Sequence, residues 1–264
     1  MKNNRVKEAL AAGIPQVGTW LSLGSPLAAR FQARAGWHWL TVDMEHSAVD
    51  WETAALMFAA IADAGGTPLI RVPCIAHEHA KRALDQGAYG IVFPMCNSRQ
   101  QAELAVAACK YPPEGNRSVG GSQHALNFDT DPATYYRNAN QRTLVIVQIE
   151  HREGVERCEE ILSVPGIDAV FVGPNDLLAS MHQTPQMESE DPKFIAALQT
   201  IRTTALRHGV APGIHVADAK AALKRIAEGW RFIAISSELG MMQKESAETI
   251  RQVCGAAMQS QVRY

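Results

Sequence analysis

Eight short apolar runs alternate with stretches of helical spacing along the chain, and this rhythm limits the fold more than any other feature. The runs fall at residues 17–22, 39–45, 67–72, 90–95, 144–150, 169–173, 211–216 and 231–236. They are rich in Val, Ile, Leu and Phe, which suits parallel strands buried on both faces. Between them, apolar residues recur three and four apart, with Asp50 and Asp218 at helix starts and Gly65, Gly87, Gly209 and Gly229 at stops. Eight β/α units in 264 residues predict one domain, 1–264, folded as a single (β/α)8 TIM barrel. A doubly wound sheet would need a Gly-rich phosphate turn after its first strand. Leu23-Gly24-Ser25-Pro26 is not one, and no nucleotide cofactor is expected.

A chain of this length buries roughly 70–75% of its unfolded surface and needs no disulfide staple. Its five cysteines are an odd number without a CxxC pair, so free thiols in a cytoplasmic setting are expected. The start, Met1-Lys2-Asn3-Asn4-Arg5, leads into a polar helix and not an apolar signal segment. No apolar run approaches the ~20 residues of a membrane span. Net charge is −2 with no basic cluster, which argues against nucleic acid and membrane partners. Small molecules remain.

One connection breaks the rhythm. Between Lys110 and Leu144 only a short helix, about 132–139, is legible, and a loop this long in a compact domain is commonly functional. A lid and a subunit contact are equally open readings.

In a barrel of this kind the chemistry sits at the C-terminal ends of the strands. The fifth run ends Gln148-Ile149-Glu150 and the sixth runs into Asn175-Asp176, which places two carboxylates at consecutive strand exits. An unpaired charge there is costly, so a hard cation is the natural partner. The second run ends Asp43-Met44-Glu45-His46 and the third ends at Arg71. Asp43 and Glu45 share a face and could brace the strand or pair with Arg71. His215 could line the pocket or simply pack, and His77 and His79 read as surface. His124, in the long loop, could reach substrate. All eight lysines fall on helices or termini, so no Schiff-base lysine is expected. The last two strand exits also lack a phosphate cup.

Six motifs in order carry a resemblance. Val42-Asp43-Met44-Glu45-His46, Ile70-Arg71-Val72-Pro73, Val92-Phe93-Pro94-Met95, residues 111–117, Val147-Gln148-Ile149-Glu150 and Val172-Gly173-Pro174-Asn175-Asp176-Leu177 resemble the HpcH/HpaI aldolases over nearly the whole chain. These are metal-dependent (class II) pyruvate aldolases of the 4-hydroxy-2-oxo-heptanedioate and 2-dehydro-3-deoxyglucarate type. The resemblance implies reversible cleavage of a 4-hydroxy-2-oxo acid to pyruvate and an aldehyde through a pyruvate enolate. By that resemblance Glu150 and Asp176 hold a divalent metal, Mg²⁺, Mn²⁺ or Co²⁺. Gln148, Asn175 and Asp176 bind the pyruvate moiety, His46 is the base, and Arg71 stabilises the enolate and aldehyde oxygen. Asp85 matches a family carboxylate that raises the basicity of the histidine, although its place at a helix end suggests the opposite rim. The resemblance also implies a homo-oligomer, a hexamer or trimer of dimers, with the C-terminal helix, 241–258, exchanged between subunits.

Departures from the family pattern at Met44, Ser118, Asn175 and residues 120–128 leave the aldehyde open. Oxaloacetate decarboxylation or macrophomate-synthase-like chemistry would use the same enolate. A metal-binding scaffold without turnover is the non-enzymatic alternative.

Overall fold

The computed structural model describes residues 1–254. Among these, eight parallel strands close into a barrel in chain order. They are β1 (Gln16–Leu21), β2 (Trp39–Asp43), β3 (Thr67–Arg71), β4 (Gly90–Phe93), β5 (Leu144–Gln148), β6 (Ala169–Val172), β7 (Ala211–Val216) and β8 (Phe232–Ser237). Every predicted strand is present. Those expected at 39–45, 90–95 and 144–150 stop two residues early, at Asp43, Phe93 and Gln148. Past Gln148 a side chain replaces the ladder partner, because the Met95 N–H donates to the Glu150 carboxylate at 3.1 Å.

Strand alternation sorts the core into two layers. Val42, Ile70, Val145, Val147, Val172 and Ile214 face outward onto the helices. Trp39, Leu69, Val92, Ile146 and Phe232 face inward and fill the barrel. Trp39 stacks on Phe232 with ring centroids 4.3 Å apart. Gly18 makes this possible, since a Cβ there would collide with the indole of Trp39. The predicted helix starts hold: Asp50 accepts the Thr53 N–H and Asp218 the Ala221 N–H, supplying a cap of about 1 kcal/mol each.

Outside residues 110–143, three helical details differ from expectation. The helix expected at 153–162 is two short ones, Arg152–Glu156 and Cys158–Leu162, broken at Arg157. The break lets Gly154 lie against the backbone of Cys96 while Cys158, Ile161 and Leu162 enter the core. An additional helix, Pro174–Ser180, follows β6 directly, with proline opening its first turn. The last helix begins at Glu238 and runs to Cys254, and residues 255–258 of the expected helix lie outside the described residues.

Residues 110–143 close the N-terminal mouth of the barrel. Two helices, Gln123–Asn127 and Pro132–Arg142, bring Phe128 onto Tyr89 with centroids 3.7 Å apart. The Arg117 guanidinium lies 4.5 Å from the Tyr111 ring and 5.6 Å from that of Tyr135, and donates to Asp85 at 2.7 Å. Helix Arg5–Ala11 adds buried Val6 and Leu10, and the Asn4 amide donates to the Tyr89 and Arg142 carbonyls at 3.0 and 2.9 Å. The long connection is therefore a plug on the rim opposite the expected site and not a lid over it. His124 goes with it, buried 4.0 Å from the Tyr135 ring and away from the C-terminal rim.

Candidate active site

Inward parity delivers Trp20, Asp43, Arg71, Gln148, Phe171 and His215 to the C-terminal rim, and the segments that follow β2 and β6 add His46, Asn175 and Asp176. His46, Arg71, Gln148, Asn175 and Asp176 line a single cavity of about 230 Å³. Trp20, Phe171 and His215 line the same cavity. The first two occupy inward strand positions where a large apolar side chain reads as core, and only the barrel register distinguishes them from Trp39 or Phe232.

Asp43 organises one side of this cavity. β2 and β3 pair with Asp43 beside Arg71, so the two side chains emerge together. The guanidinium donates twice, Nε to Oδ1 at 2.9 Å and Nη2 to Oδ2 at 2.7 Å, a fork that fixes its plane. Asp43 Oδ1 also accepts the Glu45 N–H at 3.1 Å, which ties down the turn leading to His46. Glu45 stands 3.2 Å from Arg71 Nη1 and 3.8 Å from His46 Nε2. Trp20 lies under the guanidinium at 4.5 Å, adding a cation–π contact. Burial works against the charge on Arg71, but Asp43 and Glu45 outweigh it and raise its pKa above the usual value. Burial raises the Glu45 carboxyl, with Arg71 and His46 opposing. The His46 side chain stays 62% exposed and open to substrate.

Glu150 organises the other side. The residue is only 2% exposed and sits behind Gln148, whose amide donates to one of its oxygens while the Met95 N–H serves the other. Met95 holds φ at 53°, a left-handed conformation that is strained for a side-chain-bearing residue. Gly173 provides the space: a Cβ there would overlap Glu150 Oε2 and stand 3.0 Å from the Gln148 amide nitrogen. Burial pushes the Glu150 carboxyl up to about 7, Asp176 and Glu45 add to the rise, and the Met95 N–H and Arg71 oppose it.

These features fit a hard cation. A buried carboxylate with a raised pKa lies near a second acid, Asp176, in the first turn of helix Pro174–Ser180. Gln148 Oε1 is buried without a hydrogen-bond partner among the described residues. Among those residues no set of three or more His, Cys, Asp or Glu forms a cage. Two carboxylates with open positions suit an ion that keeps water and substrate oxygens as ligands, as Mg²⁺ does.

Asp85 is not brought to this site within one chain. It ends helix His77–Asp85 at the opposite rim, bonded to Arg117. The lysines drawn into the protein also lie there: Lys7 pairs with Asp168 at 2.8 Å and Lys110 donates to the Asn140 carbonyl.

A closed eight-stranded barrel with acids, an arginine and a histidine converging on its C-terminal rim has the organisation of the (β/α)8 enzymes. The chain belongs to the HpcH/HpaI aldolase/citrate lyase family, whose profile matches residues 16–244. It is 36% identical over 241 residues to a 5-keto-4-deoxy-D-glucarate aldolase of Escherichia coli O9:H4 (strain HS), covering 91% of this chain and 93% of that one. Among solved structures, a family protein from Burkholderia cenocepacia J2315 superposes with TM-score 0.88 at 34% identity, over 95% of this chain and 99% of the other. An HpcH/HpaI aldolase from Desulfitobacterium hafniense DCB-2 gives 0.87 at 32%, over 94% and 95%.

Proposed function

We propose that this chain is a divalent-metal-dependent aldehyde-lyase that reversibly cleaves a 4-hydroxy-2-oxo acid to pyruvate and an aldehyde. The observation that carries this reading is one cavity lined by Asp176, a fixed Arg71 and an exposed His46, with the buried Glu150 carboxylate held behind its Gln148 wall. Glu150 and Asp176 would offer oxygens to a cation. Cleavage of the bond between C3 and C4 leaves negative charge on the pyruvate enolate. When bound, Mg²⁺, Mn²⁺ or Co²⁺ supplies Lewis-acid stabilisation of that charge. Arg71, already locked by Asp43, adds a positive charge that needs no reorganisation. His46 takes the 4-hydroxyl proton, and in the synthetic direction a proton from the pyruvate methyl. Gln148, Asn175 and Asp176 orient the oxo-acid end.

Two finer readings concern assembly. The carboxylate role implied for Asp85 can be filled only between subunits, since its own His46 is at the other rim. Helix Glu238–Cys254 buries only Glu238 among its described residues and leaves Met242, Ile250 and Val253 exposed, which supports a homo-oligomer in which this helix is exchanged. Among the described residues no helix is long and apolar enough to cross a membrane, and free Cys96, Cys109 and Cys158 in the core accord with a reducing cytoplasm.

Deuterium exchange into the methyl of pyruvate tests the reading. Metal-dependent exchange by the wild type, lost in His46→Ala, is the expected result. Exchange absent with Mg²⁺, Mn²⁺ and Co²⁺ alike would overturn the lyase assignment.

A further inference from the structure

The cavity has a second half that the lyase reading leaves unused. Over β7, β8 and β1 it is lined by His215, Ser237 and Ser22. His215 Nε2 is 3.0 Å from the Ser236 carbonyl oxygen. A carbonyl only accepts, so Nε2 carries the proton and Nδ1 presents a lone pair. The ring is wedged between Trp20 and Phe171, with centroids 5.9 and 6.4 Å away. Nδ1 has no hydrogen-bond partner among the described residues and is not one of their sealed polar atoms, so it is open to the cavity. Ser236 holds φ at 51°, a left-handed conformation that is strained for a residue other than glycine, at the residue that fixes this tautomer.

Charge is arranged in the same sense. Burial lowers the His215 pKa to about 4, with Arg71 adding and the Ser236 carbonyl and Asp43 opposing, so the ring is neutral near pH 7. Behind Ser22 the buried Glu238 accepts the Ser22 and Leu23 N–H groups at 2.7 and 2.9 Å. Arg71 is the one Lys or Arg lining the cavity among the described residues, and Asp43 already engages it twice. A lone pair on a neutral ring accepts a hydroxyl hydrogen but repels a carboxylate.

We infer that His215, with Ser22 and Ser237, selects the aldehyde partner: an uncharged hydroxyaldehyde whose O–H donates to His215 Nδ1. This assignment rests on the lyase reading and names the substrate class of the same site.

The test is aldol addition by the full-length Mn²⁺-loaded protein, with pyruvate as donor. Three aldehydes are compared: glyceraldehyde, propanal and the anionic glyoxylate. In the wild type, kcat/KM for glyceraldehyde should exceed that for propanal by at least about tenfold, with glyoxylate below glyceraldehyde. His215→Leu should bring the glyceraldehyde-to-propanal ratio close to one, whereas His215→Gln, which keeps an acceptor, should retain part of it. A general packing defect would lower both rates together and leave the ratio intact. An unchanged ratio in His215→Leu, or a wild-type preference for glyoxylate or propanal, overturns the inference alone. Absence of pyruvate deuterium exchange in the wild type overturns the lyase reading and this inference with it.

Discussion

Among the described residues the barrel carries one arginine–aspartate pair at each rim, and the two pairs do opposite things. Arg71 and Asp43 form a two-bond fork whose outer face borders the cavity, with Trp20 under it. Arg117 and Asp85 make one bond of 2.7 Å, and the Arg117 side chain is 0% exposed between Tyr111 and Tyr135. The fork leaves a fixed positive charge beside open space, where it can meet charge that develops in a reaction. In the plug, the same chemistry is spent on joining residues 110–143 to the barrel, and Arg117 is shut away from any substrate on its own chain. An ion pair becomes functional through what its remaining face borders, and a sequence does not reveal that face.

Substitutions that keep shape but change charge sharpen the contrast. Glu150→Gln should have the largest effect, lowering turnover by more than two orders of magnitude if the metal supplies several kcal/mol. Its thermal midpoint should hold or rise, because a buried carboxyl pushed up to about 7 gives way to a neutral isostere. A marked fall in the midpoint would mean that Glu150 serves the fold. Arg71→Met and Arg117→Met should then separate the rims. The first should cost about 10²–10³ in turnover by removing stabilisation of developing charge, and about 3 kcal/mol of stability because it strands the buried Asp43. The second should cost about 3 kcal/mol of stability, since it strands Asp85 and empties a site packed by two tyrosines. Equal losses of turnover in the folded fraction of both variants would erase the distinction. Gly173→Ala should be smaller again: the added methyl displaces the Glu150 carboxylate and should weaken metal affinity about tenfold, readable by titration calorimetry.

The barrel was legible because strand and helix periods differ and the alternation repeats eight times. The rim acids were legible because charge at the exit of an apolar run has no structural explanation. Trp20 and Phe171 were not, because every inward strand position prefers a large apolar side chain, and only closure shows which of these layers ends at the cavity. The plug was missed because Tyr89, Tyr111, Phe128 and Tyr135 follow no helical or strand period; they meet only when helices Gln123–Asn127 and Pro132–Arg142 fold back under the barrel. Asp85 shows the limit of a motif. Its sequence position was read correctly as a helix end, and the fold pairs that end with Arg117 at the opposite rim, so a motif match alone does not bring a side chain to the site.

Acid provides the gentlest test of the two rims, because each holds a histidine whose pKa is lowered, His124 buried and His215 half-buried at the cavity. His215 is lowered to about 4 by burial, and His124 is lowered by burial with Arg117 adding to the effect. A histidine whose folded pKa is depressed costs no stability above its unfolded pKa near 6.5, where both states are neutral. As the pH falls below that value the unfolded chain takes the proton first, so stability declines until the folded pKa is passed. For His215 the decline should reach about 2 kcal/mol by pH 5. His215→Leu should therefore narrow the gap between thermal midpoints at pH 7.5 and pH 5, and His124→Leu should narrow it in the same direction. Only the first should also change which aldehyde is used, because only His215 borders the cavity. If His215→Leu kept the wild-type pH dependence, the imidazole would be charged or solvated, and the upper rim would lose the neutral acceptor that sets it apart from the lower.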